Sequence, residues 1–268
     1  MRIKMTLAYD GSGYAGWQRQ NNALGIETIV REALERLHHH PVEVTASGRT
    51  DGGVHALAQV IHFDSEITMG NEHWVRAMNA LLPLDIRVQD AQPAEDTFHA
   101  RFDAVRKRYD YLVSYADNDP FAYKYHALYH GRLDVARMQR CGDVLIGTHD
   151  FTSFTSARID PRKSRVRTLY CCKVIEEANG VRFQLEGNSF LRYMVRMIVG
   201  TLIEAGRGRL DEADVKAILE AKDKHACRYK AVANGLYLVK VWYGKVRKTD
   251  EKDELSHAYE TVYARLRQ

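Results

Sequence analysis

One aspartate stands in a setting suited to chemistry. Gly48-Arg49-Thr50-Asp51-Gly52-Gly53-Val54-His55-Ala56 places the Asp51 carboxyl two residues after an arginine and just before two glycines. Glycines let backbone approach a ligand closely, or take positive φ, at little steric cost. Opposite charge a few ångströms away favours an ionised carboxylate, so Arg49 is expected to hold Asp51 charged. An ionised, accessible carboxylate can serve as a nucleophile or general base. The competing reading of the same stretch is an aspartate that merely caps a turn. The residues outside the turn separate the two.

The elements that must position Asp51 follow from periodicity. Ile3, Met5 and Leu7 alternate with Arg2, Lys4 and Thr6, predicting a strand over residues 2–9. Ile26, Ile29, Val30, Ala33, Leu34 and Leu37 form one apolar stripe at helical spacing. Strands are expected at 42–46, entering the Asp51 turn, and at 54–63, leaving it. Trp74, Met78, Leu81 and Leu82 mark a helix that Pro83 stops, and a short strand follows at 87–90.

A second cycle begins with a strand over 105–115 that carries Tyr109 and Tyr111 on one face. A helix is expected at 134–146, then strands at 166–174 and 181–186. Phe190, Met194, Met197, Ile198, Thr201 and Ala205 predict a helix from Phe190, with Asn188 or Ser189 as its cap. Asp211 opens a further helix through Ile218, and a strand at 236–243 closes the region. The two cycles break near residues 92–105, and strands joined by short turns point to an α+β class. The chain reads as an N-terminal α/β half (1–104), a C-terminal α/β half (105–243) and a charged extension (244–268). In the extension Leu255, Ala258, Val262 and Leu266 are loosely periodic.

Composition narrows the class. At 268 residues, with 45% hydrophobic and 28% charged, the chain can build a core larger than one small domain needs. A net charge of +4 permits a polyanionic partner without demanding one, so the placement of charge matters more than its sum. Cys141, Cys171, Cys172 and Cys227 form no CxxC pair or zinc spacing, which suits reduced thiols and a cytoplasmic location. Residues 1–4 lead straight into a strand pattern without an apolar signal core. No stretch approaches the roughly 18 apolar residues of a membrane span, so no membrane partner is expected.

Gly11-Ser12-Gly13-Tyr14-Ala15-Gly16 fits the dinucleotide fingerprint and follows a strand. That fingerprint works only when its last glycine enters a helix whose N-terminus faces the pyrophosphate. Here Trp17-Gln18-Arg19-Gln20-Asn21-Asn22 follows, without helical periodicity, so no nucleotide cofactor is expected. A surface loop with Tyr14, Trp17 and Arg19 suits stacking and phosphate contact instead. Arg158, Arg162, Lys163, Arg165 and Arg167 crowd five cations around Pro161, a candidate contact for a nucleic-acid backbone. Arg192 and Arg196 stand one helical turn apart off the apolar stripe. Either they form a plain polar face, or one meets a phosphate and the other the active carboxylate. His38-His39-His40 ends a helix, where the last carbonyls favour cationic side chains. His55, His62 and His99 are scattered, and no HExxH, GKS/T or zinc-deaminase signature occurs, so no metal is expected.

Eight segments carry a wider resemblance. They are Tyr9-Asp10-Gly11, Gly16-Trp17-Gln18-Arg19-Gln20, the Asp51 turn, Phe98-His99-Ala100-Arg101-Phe102, Arg108-Tyr109-Asp110-Tyr111, Asp150-Phe151-Thr152-Ser153-Phe154, Met194-Val195-Arg196 and Gly235-Leu236-Tyr237-Leu238. Their order resembles that of the TruA-type tRNA pseudouridine synthases over residues 1–243. The resemblance implies the pseudouridine synthase fold: two similar α/β halves sharing a mostly antiparallel sheet, flanking helices and a positively charged cleft. It implies that Asp51 is the essential aspartate, with Arg49 beside it, Arg196 paired to it and Tyr109 stacking on the target base. Gln18, Arg19, Arg192, Arg162, Lys163 and Arg165 are then expected to contact the substrate.

The family acts as a homodimer without cofactor or metal, on uridines in the 3′ side of the tRNA anticodon stem-loop. Gly52 departs from a usual alanine, residues 227–233 from a more apolar, proline-bearing approach to the last strand, and residues 244–268 extend past the usual end. The competing classes are a catalytically idle RNA-binding protein, which would lack Asp51, and a nucleotide-dependent oxidoreductase, which would respond to NAD(P).

Overall fold

The alternation at the N-terminus folds as β1 (Arg2–Tyr9), with Ile3, Met5 and Leu7 wholly buried. The computed structural model describes residues 1–115, 120, 122–156 and 162–244. Arg158 and all but the first residue of the expected extension lie outside these residues.

β1 pairs antiparallel with β3 (His55–Asp64) on one side and β4 (Ile86–Ala94) on the other. β4 is an edge strand, where Pro93 deprives no neighbour of a ladder donor. The expected strand at 42–46 pairs only over β2 (Thr45–Ala46), although Val42 and Val44 are still buried. Helices α1 (Ile26–His38) and α2 (Asn71–Leu81) bury Ile26, Val30, Ala33 and Leu34, and Trp74 and Met78, as their apolar spacing requires.

The second cycle comprises β5 (Ala104–Ser114), β6 (Ala127–Leu128), α3 (Val135–Asp143), β7 (Gly147–Asp150), β8 (Val166–Glu177), β9 (Gly180–Gly187), α4 (Met194–Gly206), α5 (Glu212–Ala221) and β10 (Leu236–Tyr243). β6 and β7 were not foreseen, being too short to show a period. Asp134 caps α3, and Asp211 caps α5 through a reciprocal box with Asp214. Helix α4 starts at Met194, four residues later than the apolar pattern predicts. Asn188 Oδ1 accepts from Thr168 N and Ser189 N, tying that stretch to β8, and Tyr193 at φ 67° turns the chain into the helix. Arg192 therefore precedes the helix that holds Arg196.

The main sheet runs β4-β1-β3-β10-β5-β9-β8-β7. Among the described residues its ladders are antiparallel, except the β3–β10 seam and the short β5–β6 pair. That mixed α+β architecture, with two strand sets sharing one sheet, is the expected one. The seam sets His55 opposite Tyr237 and so brings the end of the Asp51 turn to within one strand of β5. On β5, Arg108 and Asp110 form a buried ion pair on one face, which leaves Tyr109 and Tyr111 for the other.

Candidate active site

The Asp51 turn is built by hydrogen bonds on all sides. Val54 N donates to Asp51 O at 3.1 Å, closing a four-residue turn with Gly53 third at φ +78°. Only glycine takes that place readily, because a β-carbon there crowds the backbone. Before the turn, Gln59 Nε2 donates to Gly48 O at 2.8 Å, and Lys107 Nζ donates to Ser47 O at 2.5 Å. After it, His55 is 2% exposed and stacks on Tyr237 with ring centres 4.6 Å apart. Gly11 N donates to His55 Nδ1 at 3.1 Å. His55 Nδ1 also lies 3.2 Å from Asp10 Oδ1, and Nε2 faces Lys124 O and Asn234 O.

The glycine-rich loop supports this turn. Gly16 bridges Asp51 in antiparallel fashion, and Trp17 N donates to Thr50 O at 3.1 Å. Gly16 has φ +99°, and a β-carbon there would stand 2.5 Å from Thr50 O. The match to a dinucleotide fingerprint thus arises from close backbone approach within the protein.

Arg196 Nη1 lies 3.3 Å from Asp51 Oδ2, with the two side chains 12% and 22% exposed. Arg196 Nε also donates to Ala231 O at 2.8 Å, so the guanidinium is held from two directions. Burial raises the Asp51 pKa above the ordinary aspartate value. Arg196, then Arg192 and Lys230, pull the other way without cancelling it. Arg49, expected to hold this charge, is exposed, and its side chain makes no ion pair or hydrogen bond among the described residues. The cation that reaches Asp51 comes instead from α4.

Tyr109 is buried and meets Phe190 edge-on, with ring centres 5.2 Å apart. Its hydroxyl has no hydrogen-bond partner among the described residues. Burial raises its pKa, and the charges of Tyr9 and Asp51 add to that, which places the phenol in the electrostatic reach of Asp51. Tyr9 hydroxyl meets Thr50 Oγ1 at 2.9 Å, below the turn.

Of the other expected residues, Gln18, Arg19, Arg192, Arg162 and Lys163 are exposed, and Arg165 is half-buried. Arg192 stands by Asp51 through its charge, whereas Arg162, Lys163 and Arg165 belong to the entry of β8. Tyr193 and Lys230 were missed. Both occupy loops whose shape no periodicity encodes, although Tyr193 lies between Arg192 and Met194 within a recognisable segment. Among the described residues no group of three or more His, Cys, Asp or Glu could hold a metal ion. The four cysteines are free. No helix of the described residues is long and apolar enough to cross a membrane.

The model of the tRNA pseudouridine synthase family matches residues 5–103 and 143–244. tRNA pseudouridine synthase A of Exiguobacterium sp. is 46% identical over 245 residues, covering 91% of this chain and 99% of that protein. The Bacillus subtilis protein of the same name is 45% identical over 247 residues, with coverages of 91% and 99%. Among solved structures, a chain of a Cbf5-Nop10-Gar1 complex gives a TM-score of 0.37 at 10% identity, over 95% of this chain and 64% of that one. The chain belongs to the tRNA pseudouridine synthase family and is an enzyme of the isomerase class.

Proposed function

We propose that this enzyme converts uridine to pseudouridine in the anticodon stem-loop of tRNA, with Asp51 as its catalytic residue. The observation that carries the reading is a half-buried carboxyl turned towards Arg196 in the electrostatic neighbourhood of Tyr109. The reaction breaks the N1–C1′ bond, turns the uracil and forms a C5–C1′ bond. The C5 proton leaves and N1 gains one, so substrate and product are isomers and the stoichiometry calls for no redox or energy cofactor.

Asp51 opens the sequence, either by attack on C1′ or by taking a sugar proton to give a glycal. Its raised pKa makes it the stronger base, while Arg196 orients it and favours its charged form. The target base must leave its stack, at a cost of a few kcal/mol. Tyr109 receives it, and base–aromatic stacking returns about 1–3 kcal/mol. The free Tyr109 hydroxyl then assists loss of the C5 proton.

Residues 1–104 supply Asp51 and residues 105–243 supply Tyr109 and Arg196, so the two halves act as one catalytic body. Arg49, Gln18, Arg19 and Arg192 contact the RNA near the site, and Arg162, Lys163 and Arg165 contact its backbone further out. The resemblance to the family supports a homodimer working in the cytoplasm. Mapping pseudouridines in tRNA from cells with and without the protein tests the reading. Loss of anticodon stem-loop pseudouridines is expected, and an unchanged map contradicts it.

A further inference from the structure

Three cations converge on one aromatic ring beside Asp51. Arg192 and Arg196 place their guanidinium carbons 4.8 and 5.7 Å from the centre of the Tyr193 ring, and Lys230 places Nζ at 4.6 Å. Asp51 neutralises Arg196. Arg192 and Lys230 are exposed, and among the described residues neither has a carboxylate partner.

The backbone enforces this gathering. Tyr193 adopts φ 67°, a left-handed conformation uncommon outside glycine, at the residue that leads into α4. Ala231 N donates to Arg196 O at 2.9 Å while Ala231 O accepts from Arg196 Nε at 2.8 Å. This double link pins the residue next to Lys230 against the first turn of α4. Like charges held together repel, and the electron-rich face of the ring offsets only part of that. An anion beside Arg192 and Lys230 would offset the rest.

We propose that Lys230 and Arg192, seated on Tyr193, clasp a backbone phosphate of the RNA next to the target uridine. A nucleotide whose C1′ faces Asp51 carries a phosphate on either side of its sugar, and the two unpaired cations stand at the edge of the same site. Arg192 offers a planar fork to two phosphate oxygens, and Lys230 a mobile point charge. The inference rests on the tRNA reading above.

The test measures tRNA affinity against salt concentration in Asp51→Asn protein, where chemistry does not intervene. Lys230→Gln, Lys230→Arg and the Arg192→Gln/Lys230→Gln pair are compared in that background. Each lost phosphate contact lowers the log–log salt slope by about 0.7–0.9. Lys230→Gln should lose part of that, the Arg192→Gln/Lys230→Gln pair about the whole of it, and Lys230→Arg almost nothing. Unchanged slopes in both Gln variants, with unchanged melting temperatures, overturn the clasp. Pseudouridine formation by the unsubstituted enzyme is followed in parallel. Its absence overturns the tRNA reading, whereas its presence with unmoved slopes overturns the clasp alone.

Discussion

Asp51 and Arg196 are 145 positions apart in the chain and meet at 3.3 Å. The contact joins a turn of the first half to the opening turn of α4 in the second. Burial nevertheless weighs more on Asp51 than this pairing does, and the net effect is a carboxyl that holds its proton more tightly than usual. The site trades some charge at low pH for basicity. That trade has measurable consequences.

The ionised carboxylate is the working form, so activity should fall as pH drops through a pKa raised above the ordinary aspartate value. Arg196 is the strongest of the cations favouring that ionised form. Arg196→Gln should therefore shift the acid limb of the single-turnover rate to still higher pH, and slow the plateau by roughly 10²-fold. A limb at the same or lower pH would show that Arg196 does not hold the charge.

Lys107 gives a stability prediction of opposite origin. Burial lowers its pKa from 10.5 to about 8. Between those values the unfolded chain binds more proton than the folded one, so stability rises with pH across that window. Below it, folding carries the full cost of a charged buried amine, on the order of 3 kcal/mol before the hydrogen bond to Ser47 O is set against it. Lys107→Met should be favoured relative to the parent at pH 7, and that advantage should shrink towards pH 10.5. Urea unfolding at both pH values checks this, and a constant difference contradicts it.

Much of this was legible beforehand, and the rest was not for physical reasons. Strict alternation revealed β1 and β9, because one face of each is buried. The β3–β10 seam, which brings the Asp51 turn towards Tyr109, links residues far apart in sequence, and no local pattern reports it. Asp51 is visible from its glycines; adjacency alone points to Arg49 as its electrostatic partner, whereas the family resemblance points to Arg196, the arginine that meets it, because adjacency along a chain says little about contact across a turn. Helix α4 was started at Phe190 because that residue fits the apolar period, although its side chain packs against Tyr109 instead. Tyr193 and Lys230 owe their positions to one left-handed residue and one double link between Ala231 and Arg196, features that composition does not carry.

Gly52 is the glycine of the turn that geometry does not require. Its φ is not in the left-handed region, and a β-carbon would meet Ala15 at 3.4 Å, an ordinary contact. Gly52→Ala should stabilise the protein by about 0.4–1 kcal/mol, by restricting the unfolded chain. Thermal unfolding measures it; a loss of stability would show that Ala15 leaves no room for the added methyl. Gly53, at φ +78°, should not tolerate the same change.

Tyr109→Phe separates stacking from proton transfer. The ring and its edge-on contact with Phe190 persist, while the unpartnered hydroxyl is removed. tRNA affinity should be nearly unchanged and single-turnover product formation about 10²-fold slower. An unaltered rate would confine Tyr109 to stacking.

The central claim is that the Asp51 carboxylate performs the first chemical step. Pseudouridine formation by Asp51→Asn protein on saturating tRNA, followed for a single turnover, tests it most directly. The account predicts no detectable product with tRNA still bound, and a folded protein at least as stable at neutral pH, since a half-buried charge whose burial outweighs its pairing is gone. Turnover near that of the unsubstituted enzyme would contradict it.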